Sequence, residues 1–454
     1  MDTGARILIV GLGASGHSVI RYLAGQGANI VATDSRAAPS GIEALCAEFP
    51  QVDLRLGGFD APQPLSQFEQ AIISPGVSPN EAFVRQLDDA GVEIIGDIEL
   101  FARAVHRLPV TAATAPAVVA ITGSNGKSTV TTLIGEMGRR AGLRVAVGGN
   151  LGIPALDLLA DDIQLYVLEL SSFQLETTHS LKPTVAVWLN FSADHLDRHG
   201  TLAAYAAAKA RVFVGAIQAV VNRQDAGVMR HAPPRAISFG LDVPAPGHYG
   251  LVERDGVRWL ACGDEALLPL AGLRVQGLHN AANALAALTA AALAGLPRQA
   301  AVDALREFPG LPHRCEWVAE AGGVVWINDS KGTNVGATLA ALEGLPAPIV
   351  WLGGGQGKGQ DFAPLREPLS RKGRVALLFG KAALKLQKAL AGALPVECVD
   401  HLENAVLRAR LLARPGDCVL LSPACASLDQ FKNYVERGDR FRSLVLETVA
   451  ERTT

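Results

Sequence analysis

Few of the marks that identify several large protein classes occur in this sequence. Charged residues make up 19% of it, aromatic residues 5%, and the formal net charge is -3. With no long basic or acidic run, neither a nucleic acid nor a membrane surface is expected as a partner. The six cysteines (Cys46, Cys262, Cys315, Cys398, Cys418 and Cys425) include no CxxC pair. That argues against a disulfide framework or a zinc site and for buried, reduced thiols. Residues 1–16 run from an acidic start into an apolar strand without the basic flank of a signal peptide. The most apolar stretch, 284–296, is too short and too alanine-rich to span a bilayer. A cytoplasmic protein is expected. What the chain does have is size and apolar content: 454 residues that are 49% hydrophobic, much of it alanine and glycine. A chain of that length exceeds one compact core and implies two or three domains.

Three times an apolar strand runs into a glycine-rich turn, and each time a helix is expected to follow. The three strands are Arg6–Val10 before Gly11–Gly16, Val118–Ile121 before Gly123–Ser128, and Ile349–Leu352 before Gly353–Gly359. Strands alternating with helical patterns predict parallel α/β sheets, and three such openings at wide intervals predict three α/β domains. The small, proline-bounded segment Leu108–Pro116 reads as the first linker. Helices near 280–296 and 299–307 lead to Pro309-Gly310-Leu311-Pro312, a natural second break. The domains are therefore set at 1–107, 108–311 and 312–454.

The sharpest chemical signal is Thr122-Gly123-Ser124-Asn125-Gly126-Lys127-Ser128-Thr129. Glycines let backbone N–H groups curl around phosphate oxygens, and the helix that follows aims its positive end at them. Lys127 supplies charge for the outer phosphates, and the Ser128 hydroxyl can ligate magnesium. Ile121 stands where a Walker A loop has its first glycine, so the spacing departs from that motif. Gly11, Gly13 and Gly16, with Asp34 at the end of the next strand, fit a dinucleotide fingerprint. The same geometry can hold the pyrophosphate of a UDP-sugar, and the third glycine run is equally ambiguous. The apolar strand 165–170 carries Glu169 near its C-terminal end. Strand 184–189 ends in Asn190 and Asp194-His195-Leu196-Asp197, which places His195 and Asp194 at the same sheet edge as Glu169.

Together with Leu168–Gln174, Lys209, His279–Asn283, His313-Arg314, Asn328–Asn334 and Ser422–Phe431, these motifs occur in the order found in the Mur ligases. The chain resembles that family, in its glutamate-adding branch, over essentially its whole length. The resemblance implies an α/β protein of three domains: an N-terminal Rossmann-like UDP-binding domain, a central P-loop-type ATPase domain with a parallel sheet, and a C-terminal Rossmann-like domain. It implies ATP-dependent ligation of D-glutamate to UDP-N-acetylmuramoyl-L-alanine, in the bacterial cytoplasm, by a monomer. It further implies that Ala14, Ser15, Asp34, Ser35, Arg36, Ser74, Pro75 and Gly76 hold the uridine diphosphate, and that Asn150 meets the muramoyl-alanine end. Gly123, Ser124, Asn125, Gly126, Lys127, Ser128 and Thr129 would cradle the ATP phosphates. Asn280, Asn283 and Asp329 would lie against the adenosine, and Arg314 against the phosphate in transfer. Ser128 and Glu169 would ligate one magnesium ion, and His195 with a carbamylated Lys209 a second. Lys331, Thr333, Lys358, Ser427, Leu428 and Tyr434 would form the glutamate side. Gly332 stands where many relatives have alanine, and Tyr434 where phenylalanine is common.

Without the resemblance, Lys209 reads as an ordinary helix-surface lysine. Rival readings are a related ligase for a different amino acid, such as a folylpolyglutamate-type enzyme, a nicotinamide oxidoreductase built on the first glycine motif, and a nucleotide-binding module without catalysis. The oxidoreductase leaves Gly123–Thr129 and the Glu169/His195 pair unexplained.

Overall fold

Strand Arg6–Val10 lies at the centre of a five-stranded parallel sheet, between Asn29–Asp34 and Gln70–Ile73, with Asp53–Leu56 and Glu93–Gly96 at the edges. Its residues from Ile7 to Val10 are almost fully buried, as expected of a strand covered on both faces. The chain moves outward from this strand in both directions, so a crevice opens beyond its C-terminal end, where α/β sheets bind ligands. Gly11–Gly16 and Ser74–Gly76 meet there. The computed structural model describes residues 6–108, 115–275, 277–345 and 347–450. Residues 109–114 of the expected first linker lie outside the described residues.

The second sheet has nine strands. Ala117–Thr122 sits between Leu165–Glu169 and Val185–Trp188, all parallel. Val145–Gly149 forms one edge, and Gln218–Asn222 and Ile237–Phe239 extend the parallel part. Tyr249–Arg254 begins an antiparallel meander with Val257–Cys262 and Glu265–Pro269, an extension that the expectation of a parallel sheet did not include. The phosphate-loop helix Lys127–Arg140 packs against the alanine-rich helix Leu278–Leu293. Small side chains on the latter, Ala281, Ala284, Ala287 and Ala291, are fully buried against the sheet core.

The third sheet orders its six strands Glu316–Ala321, Val324–Asn328, Cys418–Leu421, Ile349–Gly354, Gly373–Phe379 and Val396–Cys398, with only the first antiparallel. The third glycine run does not lead straight into a helix. Gly355–Gly359 continues as irregular chain until a short turn at Ala363–Leu365 and the helix Arg366–Lys372. The run is used instead for pairing: Gln356 bridges Ala426 from the loop after Cys418–Leu421. All six cysteines are free, but burial is not uniform, since Cys46 and Cys398 are exposed. Among the described residues no helix is long and apolar enough to cross a membrane.

Candidate active site

The phosphate loop is shaped by a glycine that another residue could not replace. Gly126 has φ +80°, and a Cβ there would lie 2.4 Å from Asn283 Oδ1. Only glycine adopts that conformation readily and admits that approach. Asn190 fastens the loop from the neighbouring strand end: its Oδ1 accepts from Asn125 N at 2.8 Å and its Nδ2 donates to Asn125 O at 2.9 Å. Lys127 Nζ donates to Gly123 O at 2.8 Å and Ser124 O at 3.1 Å, which folds it back over the loop. Burial lowers its pKa, against a partial counter-effect from Glu169.

Glu169 ends its strand at 3% exposure. Burial alone would raise its pKa. Lys127, hydrogen bonds from Ser128 Oγ (2.6 Å) and Asn150 Nδ2 (2.9 Å), and Arg314 together bring it below the usual value. The carboxylate is therefore held ionised inside the protein, as a paired buried charge must be. Arg314 Nη2 donates to Ser128 Oγ at 2.7 Å, so one hydroxyl ties the N-terminus of the loop helix to a buried carboxylate and to the third domain.

Asp194 is a second acidic centre. It accepts from Lys358 Nζ at 3.2 Å and Asn334 Nδ2 at 3.1 Å, both from the third domain. Asn334 also bonds Asn125 of the phosphate loop. His195, in the left-handed region at φ 52°, has its pKa lowered to about 4 by burial and by Lys358, Lys127 and Lys209, against the pull of Asp194. Its imidazole is thus neutral and fit to ligate a cation. Lys209 is 1% exposed, which overturns its reading as a surface lysine. Its Nζ donates to Gly123 O at 2.8 Å and stands 4.8 Å from the Tyr205 ring centroid. Burial, and Lys127 beside it, push its pKa well below the ordinary lysine value.

Gly126, Asn125, Thr129, Asn280, Asn283, Arg314, Asp329 and Lys331 line one cavity of about 330 Å³. Sequence reasoning missed Leu189, Phe239, Cys315, Ala337 and Ala341, which form its apolar walls. They come from four separate segments, Ala337 and Ala341 sharing the helix Val335–Gly344, and no local pattern marks them. Asp329 accepts from Ser422 Oγ (2.7 Å) and Cys315 N (3.2 Å), yet burial raises its pKa to about 6. The folded carboxyl holds its proton more tightly than the unfolded one, so folding loses stability as pH rises from about 4 to about 6, by about 3 kcal/mol. Asp329→Asn removes that dependence. The difference in urea midpoint between variant and wild type should move in the variant's favour across this interval; a constant difference would refute it.

A Cβ on Gly332 would lie 2.5 Å from Asp329 Oδ2 and 2.7 Å from Ser422 Oγ, so an alanine there requires that pair to shift. Lys331 Nζ stands 3.6 Å from the centroid of the Tyr434 ring, a cation–π contact. Burial, Arg314 and neighbouring lysines lower the Lys331 pKa to about 7, against the pull of Glu169. Ser427 is buried and Leu428 is 65% exposed, both in the loop paired with the third glycine run; Thr333 is half-buried beside Lys331.

A second cleft, of about 690 Å³, lies between the first and second domains. It gathers Ala14, Ser15, Asp34, Ser35, Arg36, Ser74, Pro75, Gly76 and Asn150. Asp34 accepts from Leu12 N (2.6 Å), from Arg36 N (2.8 Å) and from the Arg36 guanidinium. Burial is outweighed by these bonds, and its pKa falls to about 2. Phe59, Ser78, Glu81, Gly152 and Gln174 also line this cleft and were not expected.

Three family models match: a Mur ligase MurD-like N-terminal domain over residues 5–96, a Mur ligase middle domain over 121–291, and a Mur ligase glutamate ligase domain over 313–425. The UDP-N-acetylmuramoylalanine–D-glutamate ligase of Pseudomonas putida is 52% identical over 441 residues, 96% of each chain. The protein of the same name from Chromohalobacter salexigens is 50% identical over 448 residues, again 96% of each. In fold, the chain is similar to the solved UDP-N-acetylmuramate–alanine ligase of Thermotoga maritima, with a TM-score of 0.61 at 17% identity over 98% of this chain and 99% of that one.

Proposed function

This chain belongs to the Mur ligase family, and on that basis we propose that it joins D-glutamate to the alanine carboxylate of UDP-N-acetylmuramoyl-L-alanine, cleaving ATP to ADP and phosphate, in peptidoglycan precursor synthesis. One structural observation carries the reading: Asn150, on the rim of the N-terminal cleft, bonds Glu169, which bonds Ser128 of the phosphate loop, which accepts from Arg314. A sugar nucleotide in that cleft with its carboxylate toward Asn150 would meet ATP at this line.

A carboxylate does not react with an amine at neutral pH, because its oxyanion leaves poorly. The alanine carboxylate must first attack the γ-phosphorus of ATP, breaking the bond to ADP and forming an acyl phosphate. Two anions meet in that step. Lys127 and Arg314 lower the repulsion and stabilise charge on the phosphoryl group in transfer. The neutral amine of glutamate then attacks the acyl carbon, and the tetrahedral intermediate collapses with loss of phosphate. Lys331, set over Tyr434, and Lys358 orient the glutamate carboxylates, with Thr333, Ser427 and Leu428 completing that side. Asn280, Asn283 and Asp329 take the adenosine.

The donor set suits magnesium. Ser128 Oγ and an ionised Glu169 make a hard oxygen pair of the kind that ion prefers and would hold one ion; neutral His195 with a carbamate on Lys209 would hold a second. Magnesium bound there would neutralise phosphate charge. The first glycine motif serves a UDP-sugar in this reading, and the cytoplasm and a monomeric state are part of it, as are domain limits at 107/108 and 311/312.

The test is phosphate release from ATP and magnesium with UDP-N-acetylmuramoyl-L-alanine, supplied with D-glutamate, L-glutamate or neither. Release should require both the sugar nucleotide and D-glutamate. Release with another amino acid instead would keep the ligase and overturn the substrate; binding of a nicotinamide cofactor with no release would overturn the class.

A further inference from the structure

Asp97 opens the helix Asp97–Val105, directly after the edge strand Glu93–Gly96 of the first sheet. It is 2% exposed and does not line the N-terminal cleft. Its Oδ2 accepts from two residues that do. Ser15 Oγ of the first domain donates at 3.0 Å, and Gln174 Nε2 of the second at 3.2 Å. Its Oδ1 is buried with no side-chain partner among the described residues. Gln174 passes the connection on, because its Oε1 accepts from Ser171 N (3.1 Å) and Ser171 Oγ (3.2 Å), two residues beyond Glu169. One carboxyl oxygen therefore joins the glycine loop of the first domain to the end of the strand that carries the acidic centre of the second.

We propose that Asp97 is a positioning residue that holds the two walls of the sugar-nucleotide cleft in register, so that the substrate carboxylate arrives at the phosphate loop. The inference rests on the reading of that cleft given above. Its physical basis is twofold. A buried hydroxyl and a buried amide that lose their acceptor must turn elsewhere for one, and small displacements at a two-substrate site lower rate steeply. Burial raises the pKa of Asp97, and the hydrogen bonds from Gln174 and Ser15 oppose that shift.

Glu99 provides the control. It lies on the same helical turn and also spans the domain seam, accepting from His179 N (2.7 Å), Ser180 N (2.8 Å) and Ser180 Oγ (2.8 Å), but it stays outside the cleft. Asp97→Ala should lower kcat/KM for the sugar nucleotide by roughly 10- to 100-fold and leave KM for ATP and D-glutamate within about twofold. Asp97→Asn keeps one oxygen for both donors and should restore most of the loss. Glu99→Ala should lower Tm without the selective change. Equal weakening of all three substrates, no weakening for the sugar nucleotide, or the same selective loss in Glu99→Ala would overturn the proposal. Should the wild type fail to turn over the sugar nucleotide, the functional reading falls by itself. Calorimetric binding of UDP to wild type and Asp97→Ala then decides the positioning role: weaker binding in the variant supports it, equal binding overturns it.

Discussion

Lys127→Ala is expected to lower phosphate release at saturating substrates by roughly 10³-fold, with the fold and the sugar-nucleotide affinity retained. The lysine opens the helix Lys127–Arg140 and is bent back so that its Nζ bonds the carbonyls of Gly123 and Ser124. That posture aims a cation across the loop, where the β- and γ-phosphates of a nucleotide would sit, next to the Glu169–Ser128–Arg314 line. Removing one preorganised charge from a buried phosphoryl-transfer site commonly removes about 10²–10³ in rate. Arg314 remains in the variant, which is why the effect is bounded. Lys127→Arg should recover little, since a planar guanidinium cannot occupy the space of a compact ammonium between two backbone carbonyls. Steady-state phosphate release with all three substrates checks both variants. Activity within about tenfold of wild type would move the phosphate site away from this loop, and the third glycine run, Gly353–Gly359, would be the place to look.

The phosphate loop was legible because its signal is local: an apolar strand, a glycine run and a Lys-Ser pair at a helix start lie within a dozen residues. Glu169 was legible for a related reason, as a carboxylate on a strand that is otherwise wholly apolar, and the structure gives it the buried, bonded place that such a pattern demands. Asp97 was not. An acid at the start of a helix is ordinary, because it suits the helix dipole, and nothing in Gly96-Asp97-Ile98-Glu99 shows that both acids face another domain. The cavity walls at Leu189, Phe239 and Ala337 were illegible for the same reason, since only the tertiary fold brings them together. In the third glycine run, Gly354 and Gly355 have φ near +130° and sit where a Cβ would meet the Phe379 and Ala426 carbonyls. Those glycines serve close strand-end packing, which explains why no helix follows at once.

Lys209 is the position where sequence and structure diverge most, and it carries the second large effect. Its helix, Leu202–Ala210, is so rich in alanine that no apolar stripe separates a buried face from an exposed one. The structure places the lysine in the interior, where its Nζ and that of Lys127 both donate to the carbonyl of Gly123. Two ammonium ions on one carbonyl repel each other in a medium that already penalises charge, and Lys209 has the stronger depression. A neutral amine is the form that adds to carbon dioxide: its nitrogen bonds the carbon, a proton leaves to solvent, and a carbamate anion results. The modification would exchange a destabilised cation for an anion opposite Lys127 and beside neutral His195. Activity should therefore fall when carbon dioxide is stripped from the buffers and return with bicarbonate. Native mass spectrometry should find the chain heavier by one carbon dioxide in wild type and not in Lys209→Ala. That variant should lose roughly 10²-fold or more in kcat, with partial recovery on adding formate or acetate, which can supply the missing carboxylate. Full activity in Lys209→Arg, with no dependence on carbon dioxide, would show instead that this lysine works as a simple cation, and the His195 side of the site would then have no second anionic ligand to offer a metal.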